Sequence, residues 1–174
     1  MTVYTLAVDP GSRNIGAALF ADSKLLDVYS DTVPAKMARV KRCYRLIVYL
    51  NSWFDDHDVT IFAPIYLAYE SPSYFSRNGQ GRPIQALERF VGMLEYWGCS
   101  QAMTVVGYNV STVKTGVAGS PSASKEEVEA ILRHEFNLHD AKHPSHVWDA
   151  IAVGVYHLRM MKVAEAEEAS HGLV

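Results

Sequence analysis

Val3-Tyr-Thr-Leu-Ala-Val-Asp9-Pro-Gly-Ser-Arg-Asn-Ile15-Gly16-Ala-Ala-Leu-Phe-Ala21 carries the strongest fold signal in the chain. Residues 3 to 9 are rich in strand-forming side chains and end on a carboxylate. Residues 15 to 21 and 24 to 31 (KLLDVYSD) predict two more strands, with Asp22-Ser23 as the short turn between them. The chain therefore opens as an antiparallel meander whose first strand delivers Asp9 to its end.

Beyond the meander, Pro34 predicts the start of a long helix to about Phe54, with Val40, Tyr44, Ile47, Val48, Leu50 and Trp53 at roughly helical spacing. Lys36, Arg39, Lys41, Arg42 and Arg45 decorate the rest of that helix and read as a solvated face. Residues 65 to 70 (IYLAYE) predict a buried-type strand that again ends on an acid. A loop from Ser71 to Arg82 is punctuated by Pro72, Asn78, Gly79 and Gly81, and a helix from about Pro83 to Trp97 follows. Residues 103 to 106 predict another parallel-type strand, and the small-residue-rich segment 110 to 123 predicts loops around a short helical piece. Ser124-Lys-Glu-Glu127 is a capping box that opens a helix to about Phe136. The last helix is expected from Pro144 or Ser145 to about Ala169. No repeat or linker divides the 174 residues, so one domain over 1–174 is expected. A meander joined to crossover units makes an α/β fold with a five-stranded mixed sheet and helices on both faces. This order is the ribonuclease-H-like plan, which nucleases, transposases and actin-like ATPases share.

The composition, 49% hydrophobic and 20% charged, is that of a globular protein with a real core. No apolar run approaches a bilayer span, and no basic segment precedes the first apolar stretch, so neither a membrane segment nor a signal peptide is expected. Cys43 and Cys99 fit no metal spacing and read as two buried thiols in a reducing compartment, the cytoplasm. A net charge of −3 argues mildly against a nucleic-acid partner. Without the tail acids Glu165, Glu167 and Glu168, however, the remaining acids balance the 16 Lys and Arg, and bound divalent cations would cancel more.

Three acids stand at telling places: Asp9 ends the first strand, Glu70 ends the fourth, and Asp149 lies in the first turns of the last helix. Each has an ordinary explanation. Asp before Pro-Gly forms turns, Glu70 before Ser-Pro suits a solvated strand end, and Asp149 complements a helix dipole. Together they point to a cation, because strands one and four are natural neighbours and adjacent carboxylates repel until a divalent ion answers them. Oxygen-rich sites suit Mg²⁺ or Mn²⁺, and a pair of such ions activates water on a phosphodiester. His146 precedes Asp149 by three residues, so both can face one site. An imidazole ligand or proton shuttle there favours Mn²⁺ and makes activity fall at acid pH. The bland alternative is a surface or capping histidine, and His143 is assigned no direct role.

Val8-Asp9-Pro10-Gly11-Ser12-Arg13-Asn14-Ile15-Gly16 resembles the opening motif of the RuvC Holliday junction resolvases. Ala68-Tyr69-Glu70 is similar to the family's second acid in place and spacing, and His146-Val-Trp-Asp149-Ala150-Ile-Ala to its final helix motif. The similarity spans nearly the whole chain. It implies that Asp9, Glu70 and Asp149 hold the metal ions. His146 stands where many members carry Asp and some carry His. The resemblance also implies that Lys114, and at a similar position Lys125, contact the DNA backbone, and that Tyr74 or Phe75 wedges into opened base pairs. Arg77 and Arg82 would flank that loop as phosphate contacts.

The activity so implied is that of an endonuclease that cuts four-way DNA junctions in paired symmetric nicks, which requires a homodimer. By resemblance the helix from Pro83 to Trp97 is the interface element, through Leu87, Phe90, Val91, Leu94 and Trp97. A branch-migration complex is an expected partner if the enzyme is host-encoded. The competing readings are another ribonuclease-H-like nuclease acting on RNA–DNA hybrids or branched DNA, a nucleotide-binding module of actin-like type, and a catalytically silent junction binder.

Overall fold

The computed structural model describes residues 1–59, 63–72 and 81–171, without the side chains of 81–85 and 171. The elements in chain order are β1 (Tyr4–Pro10), β2 (Asn14–Ala21), β3 (Lys24–Thr32), α1 (Arg39–Asp55), β4 (Ile65–Ser71), α2 (Gly81–Ser100), β5 (Thr104–Asn109), α3 (Val110–Ala118), α4 (Lys125–Glu135) and α5 (Ser145–His171). The sheet runs β3-β2-β1-β4-β5. β1, β2 and β3 form the antiparallel meander, while β4 and β5 lie parallel to β1. Parallel neighbours need crossovers, and α2 supplies the one between β4 and β5.

Alternation along the central strands sends opposite side chains to two cores. Leu6, Val8, Leu67 and Tyr69 face α1 and α2, which bring Cys43, Leu46, Leu50, Phe90 and Leu94. Ala7, Ala18 and Ala68 face the other way, toward α3, α4 and α5. These three alanines pair across β2, β1 and β4 in one row, Ala18 to Ala7 to Ala68. A floor of methyl groups lets a helix lie close to the sheet, and α5 uses it with Val147, Ile151 and Val155. Two residues beyond that row, on the same face, stand Gly16, Asp9 and Glu70.

The first helix begins at Arg39, not at Pro34 as the sequence predicts, because Met37 N–H closes a turn on the Pro34 carbonyl before helical bonding starts. Its inward stripe is Cys43, Leu46, Leu50 and Phe54, while Val40 and Tyr44 are 69% and 64% exposed. Two apolar stripes compete on this helix, and packing against the sheet selects the one through Cys43, Leu46, Leu50 and Phe54. Of the two thiols expected to be buried, Cys43 is, but Cys99 is exposed.

His157 of α5 is buried against Tyr66, and its Nδ1 pairs with the Tyr108 hydroxyl at 2.8 Å. Burial depresses its pKa to about 4. A histidine kept neutral in the fold takes up its proton only when unfolded, so its stabilising contribution is lost as pH falls from 6.5 toward 4. His157→Phe is expected to remove an acid-limb loss of about 3 kcal/mol from plots of unfolding free energy against pH. An unchanged slope between pH 6.5 and 4 in the variant would contradict this.

Candidate active site

Asp9 and Glu70 reach the site from neighbouring parallel strands, β1 and β4, at their C-terminal ends. Beyond Asp9 the chain reverses through a tight turn in which Gly11 N–H donates to the Asn14 carbonyl at 2.9 Å. A Cβ on Gly11 would lie 2.4 Å from that same oxygen, so the turn admits only glycine. From the other side, the first turns of α5 bring His146 and Asp149. They sit this low because Gly16, the β2 partner of Asp9, has no side chain: a Cβ there would meet the His146 carbonyl oxygen at 2.0 Å.

The carboxylates feel one another. Burial first, then the charges of Glu70 and Asp149, push the Asp9 carboxyl up to about 8, with Lys125 acting against the rise. Burial and Asp149 raise Glu70 to about 7, offset in part by Lys125 and Lys114. Lys125, the first residue of α4, ion-pairs with Asp149 through its ammonium. Burial alone would lower the Lys125 pKa, but Asp149, Asp9 and Glu70 outweigh it and hold the ammonium above its ordinary value. His146 moves the opposite way: burial lowers it, Asp149 opposes and Lys125 reinforces the fall. Its Nε2 is buried without a hydrogen-bond partner.

The fold brings Asp9, Glu70, His146 and Asp149 to one end of the sheet. Among the described residues no three carboxylate, imidazole or thiol groups converge tightly enough to make a ready coordination shell. The donor set still suits a hard divalent cation. Asp9 and Glu70 are raised first by burial and then by neighbouring carboxylates, with Lys125 and Lys114 opposing, and the His146 imidazole offers an unused nitrogen.

Of the basic residues, Lys114 lines a narrow cleft with Glu70, Lys125 and Asp149. Its ammonium donates to the Ala123 carbonyl at 2.7 Å, which ties α3 to the α3–α4 loop. Tyr74, Phe75 and Arg77 lie outside the described residues, as does the side chain of Arg82. His143 meets Trp148 edge to face, and the Arg133 guanidinium lies over the same indole ring. The α2 residues expected at an interface are used internally: Phe90, Val91, Leu94 and Trp97 are buried in the chain's own core, and Leu87 is half-buried. The Lys125–Asp149 pair was not anticipated. Its partners are 24 residues apart on different helices, and no local pattern signals it.

Comparison with known proteins gives a consistent result. A family model described as crossover junction endodeoxyribonuclease RuvC matches residues 5–157. A crossover junction endodeoxyribonuclease RuvC from Treponema pallidum (strain Nichols) is 32% identical over 100 residues, 58% of this chain and 50% of that protein. The chain therefore aligns with only half the length of that relative. One of the same description from Dehalococcoides mccartyi (strain ATCC BAA-2266 / KCTC 15142 / 195) is 26% identical over 159 residues, 87% of this chain and 90% of that protein. Among solved structures, Thermus thermophilus RuvC in complex with a Holliday junction substrate superposes with a TM-score of 0.75 at 21% identity, covering 92% of this chain and 96% of that one. This confirms the ribonuclease-H-like fold.

Proposed function

The chain belongs to the RuvC family of crossover junction endodeoxyribonucleases, and from that membership we propose that residues 1–174 act as one domain, a structure-specific endonuclease that resolves four-way DNA junctions. The observation that carries the reading is the meeting of Asp9, Glu70, His146 and Asp149 at the C-terminal ends of β1 and β4, inside the matched region.

Asp9, Glu70 and Asp149 are the proposed holders of divalent cations, Mg²⁺ or Mn²⁺, two per site, with His146 Nε2 as a fourth donor. When bound, the ions supply the positive charge that acidifies an attacking water and steadies the oxygen leaving phosphorus. The chain's own groups do the rest. Desolvation lowers the His146 pKa, so at neutral pH the ring is an acceptor that can ligate or take a proton. Lys114 and Lys125 line a cleft with Glu70 and Asp149 and are the proposed cations for an incoming phosphodiester. Tyr74 or Phe75, with Arg77 and Arg82, is the proposed junction-facing loop.

Paired nicks on a two-fold substrate require two sites, so the proposed working form is a homodimer. If α2 is its interface, the residues that meet the partner are on its outward side, such as Tyr96, which is 78% exposed, because the inward ones already fill the core. The unpaired Cys43 and Cys99 suit work in the cytoplasm, where a host-encoded enzyme would meet a branch-migration complex.

The test is a substrate panel in Mg²⁺ and in Mn²⁺: a synthetic mobile four-way junction, the linear duplex of the same sequence and an RNA–DNA hybrid. The junction is expected to be cut at least about 100-fold faster than the duplex, a preference of roughly 3 kcal/mol. Preferential cutting of the hybrid would move the chain to another branch of the fold. Binding of the junction without cleavage in either metal would make it a silent binder.

A further inference from the structure

We propose that Lys125 is the resident counter-ion of the carboxylate cluster and that a divalent cation has to displace its ammonium from Asp149 in order to bind. The inference rests on the proposed metal site and goes beyond the expected DNA contact of this lysine.

Lys125 opens α4 directly after a complete capping box: Ser124 Oγ accepts from Glu127 N–H at 3.1 Å, and Glu127 Oε2 accepts from Ser124 N–H at 2.7 Å. The backbone under Lys125 is therefore fixed, and only its side chain has freedom. That side chain is 58% exposed, whereas Asp149 is 23% exposed. The ammonium reaches the half-buried acid from the solvent side, on a flexible stem that can return to water. It also lines one cleft with Glu70 and Asp149, and all three acids raise its pKa.

Electrostatics set the direction. The Lys125 ammonium pairs with Asp149 and shares one cleft with Glu70, so a monovalent charge occupies the oxygens that a divalent ion would need. Coulomb attraction scales with charge, so a dication is favoured over an ammonium at the same oxygens. The partly exposed pair is weak enough to yield. Lys125 thus holds the free site together and weakens its metal affinity. Lys114 is the internal comparison, since it also acts on Glu70 but is committed to the Ala123 carbonyl and pairs with no acid among the described residues.

The experiment is calorimetric titration of the metal-free protein with Mn²⁺ alone at pH 8, with urea unfolding in EDTA alongside. Lys125→Met is expected to bind Mn²⁺ about tenfold more tightly than wild type, the effect of roughly one pK unit of charge coupling. It is also expected to unfold at lower urea when metal-free. Lys125→Arg, which can keep the pair, should restore wild-type behaviour, and Lys114→Met should shift affinity by less than about threefold. Because Lys125 is largely exposed, these variants are expected to fold. Asp9→Asn separates the metal site from the counter-ion. If Mn²⁺ binding does not depend on Asp9, the metal-site reading fails and this inference falls with it. If binding depends on Asp9 but Lys125→Met binds no tighter than Lys114→Met, only the counter-ion inference is overturned.

Discussion

Asp9→Asn is expected to abolish cleavage and, at the same time, to make the metal-free protein more stable. The Asp9 carboxyl sits at about 8 in the fold against an ordinary 3.8. Between these values the folded chain holds a proton that the unfolded chain has released. Stability due to this group is therefore fully present below pH 3.8 and drains away as pH rises toward 8. Asparagine keeps the shape and carries no charge, so it escapes that loss and relieves Glu70 and Asp149 of a neighbour. The expected gain at pH 8 in EDTA is about 2–4 kcal/mol, shrinking toward zero near pH 4. In saturating Mg²⁺ the order should narrow or invert, because only the wild-type site gains free energy from the ion. Urea unfolding at the two pH values, with and without metal, reads all of this. An asparagine variant no more stable than wild type in EDTA would mean that Asp9 is not buried among like charges.

Gly16→Ala carries the second large effect. Its Cβ would lie 2.0 Å from the His146 carbonyl oxygen and 2.9 Å from the Val147 nitrogen, both backbone atoms of α5. Neither can rotate away, so the helix itself must lift from β2. Overpacking of this kind costs about 3 kcal/mol. The functional effect should exceed the thermal one, because lifting the N-terminal turns of α5 moves His146 and Asp149 away from Asp9 and Glu70 together. A displacement on the order of 1 Å reduces turnover by about 100-fold. The diagnostic result is a variant that is folded at 20 °C by circular dichroism yet has lost Mn²⁺ binding. Wild-type metal affinity in a folded Gly16→Ala protein would show that the α5 donors are not part of the site.

The parts of this molecule that were legible in its sequence are those encoded locally or by strong alternation. β1 and its terminal Asp9, β4 and its terminal Glu70, and the Ser124–Glu127 capping box each carry their own signal within a few residues. The parallel pairing of β1 with β4 followed from the meander and crossover order. The features that could not be read depend on packing between elements. α1 offers two apolar stripes, and only the sheet decides that Leu46 and Phe54 turn inward while Val40 and Tyr44 remain outside. The apolar residues of α2 looked available for a partner because sequence does not say how much of an amphipathic face the chain's own sheet consumes. The ion pair of Lys125 with Asp149 exists only because α4 and α5 pack side by side.

If these acids form the metal centre of a junction-resolving nuclease, cleavage of a mobile four-way junction depends on Asp9. Nicks are to be mapped at nucleotide resolution for the wild-type chain and for Asp9→Asn in the same metal. Wild type is expected to place paired nicks symmetrically across the junction, and the asparagine variant to bind the junction and leave it intact. Nicks that persist in Asp9→Asn, or that fall on one strand without a symmetric mate, would contradict that assignment.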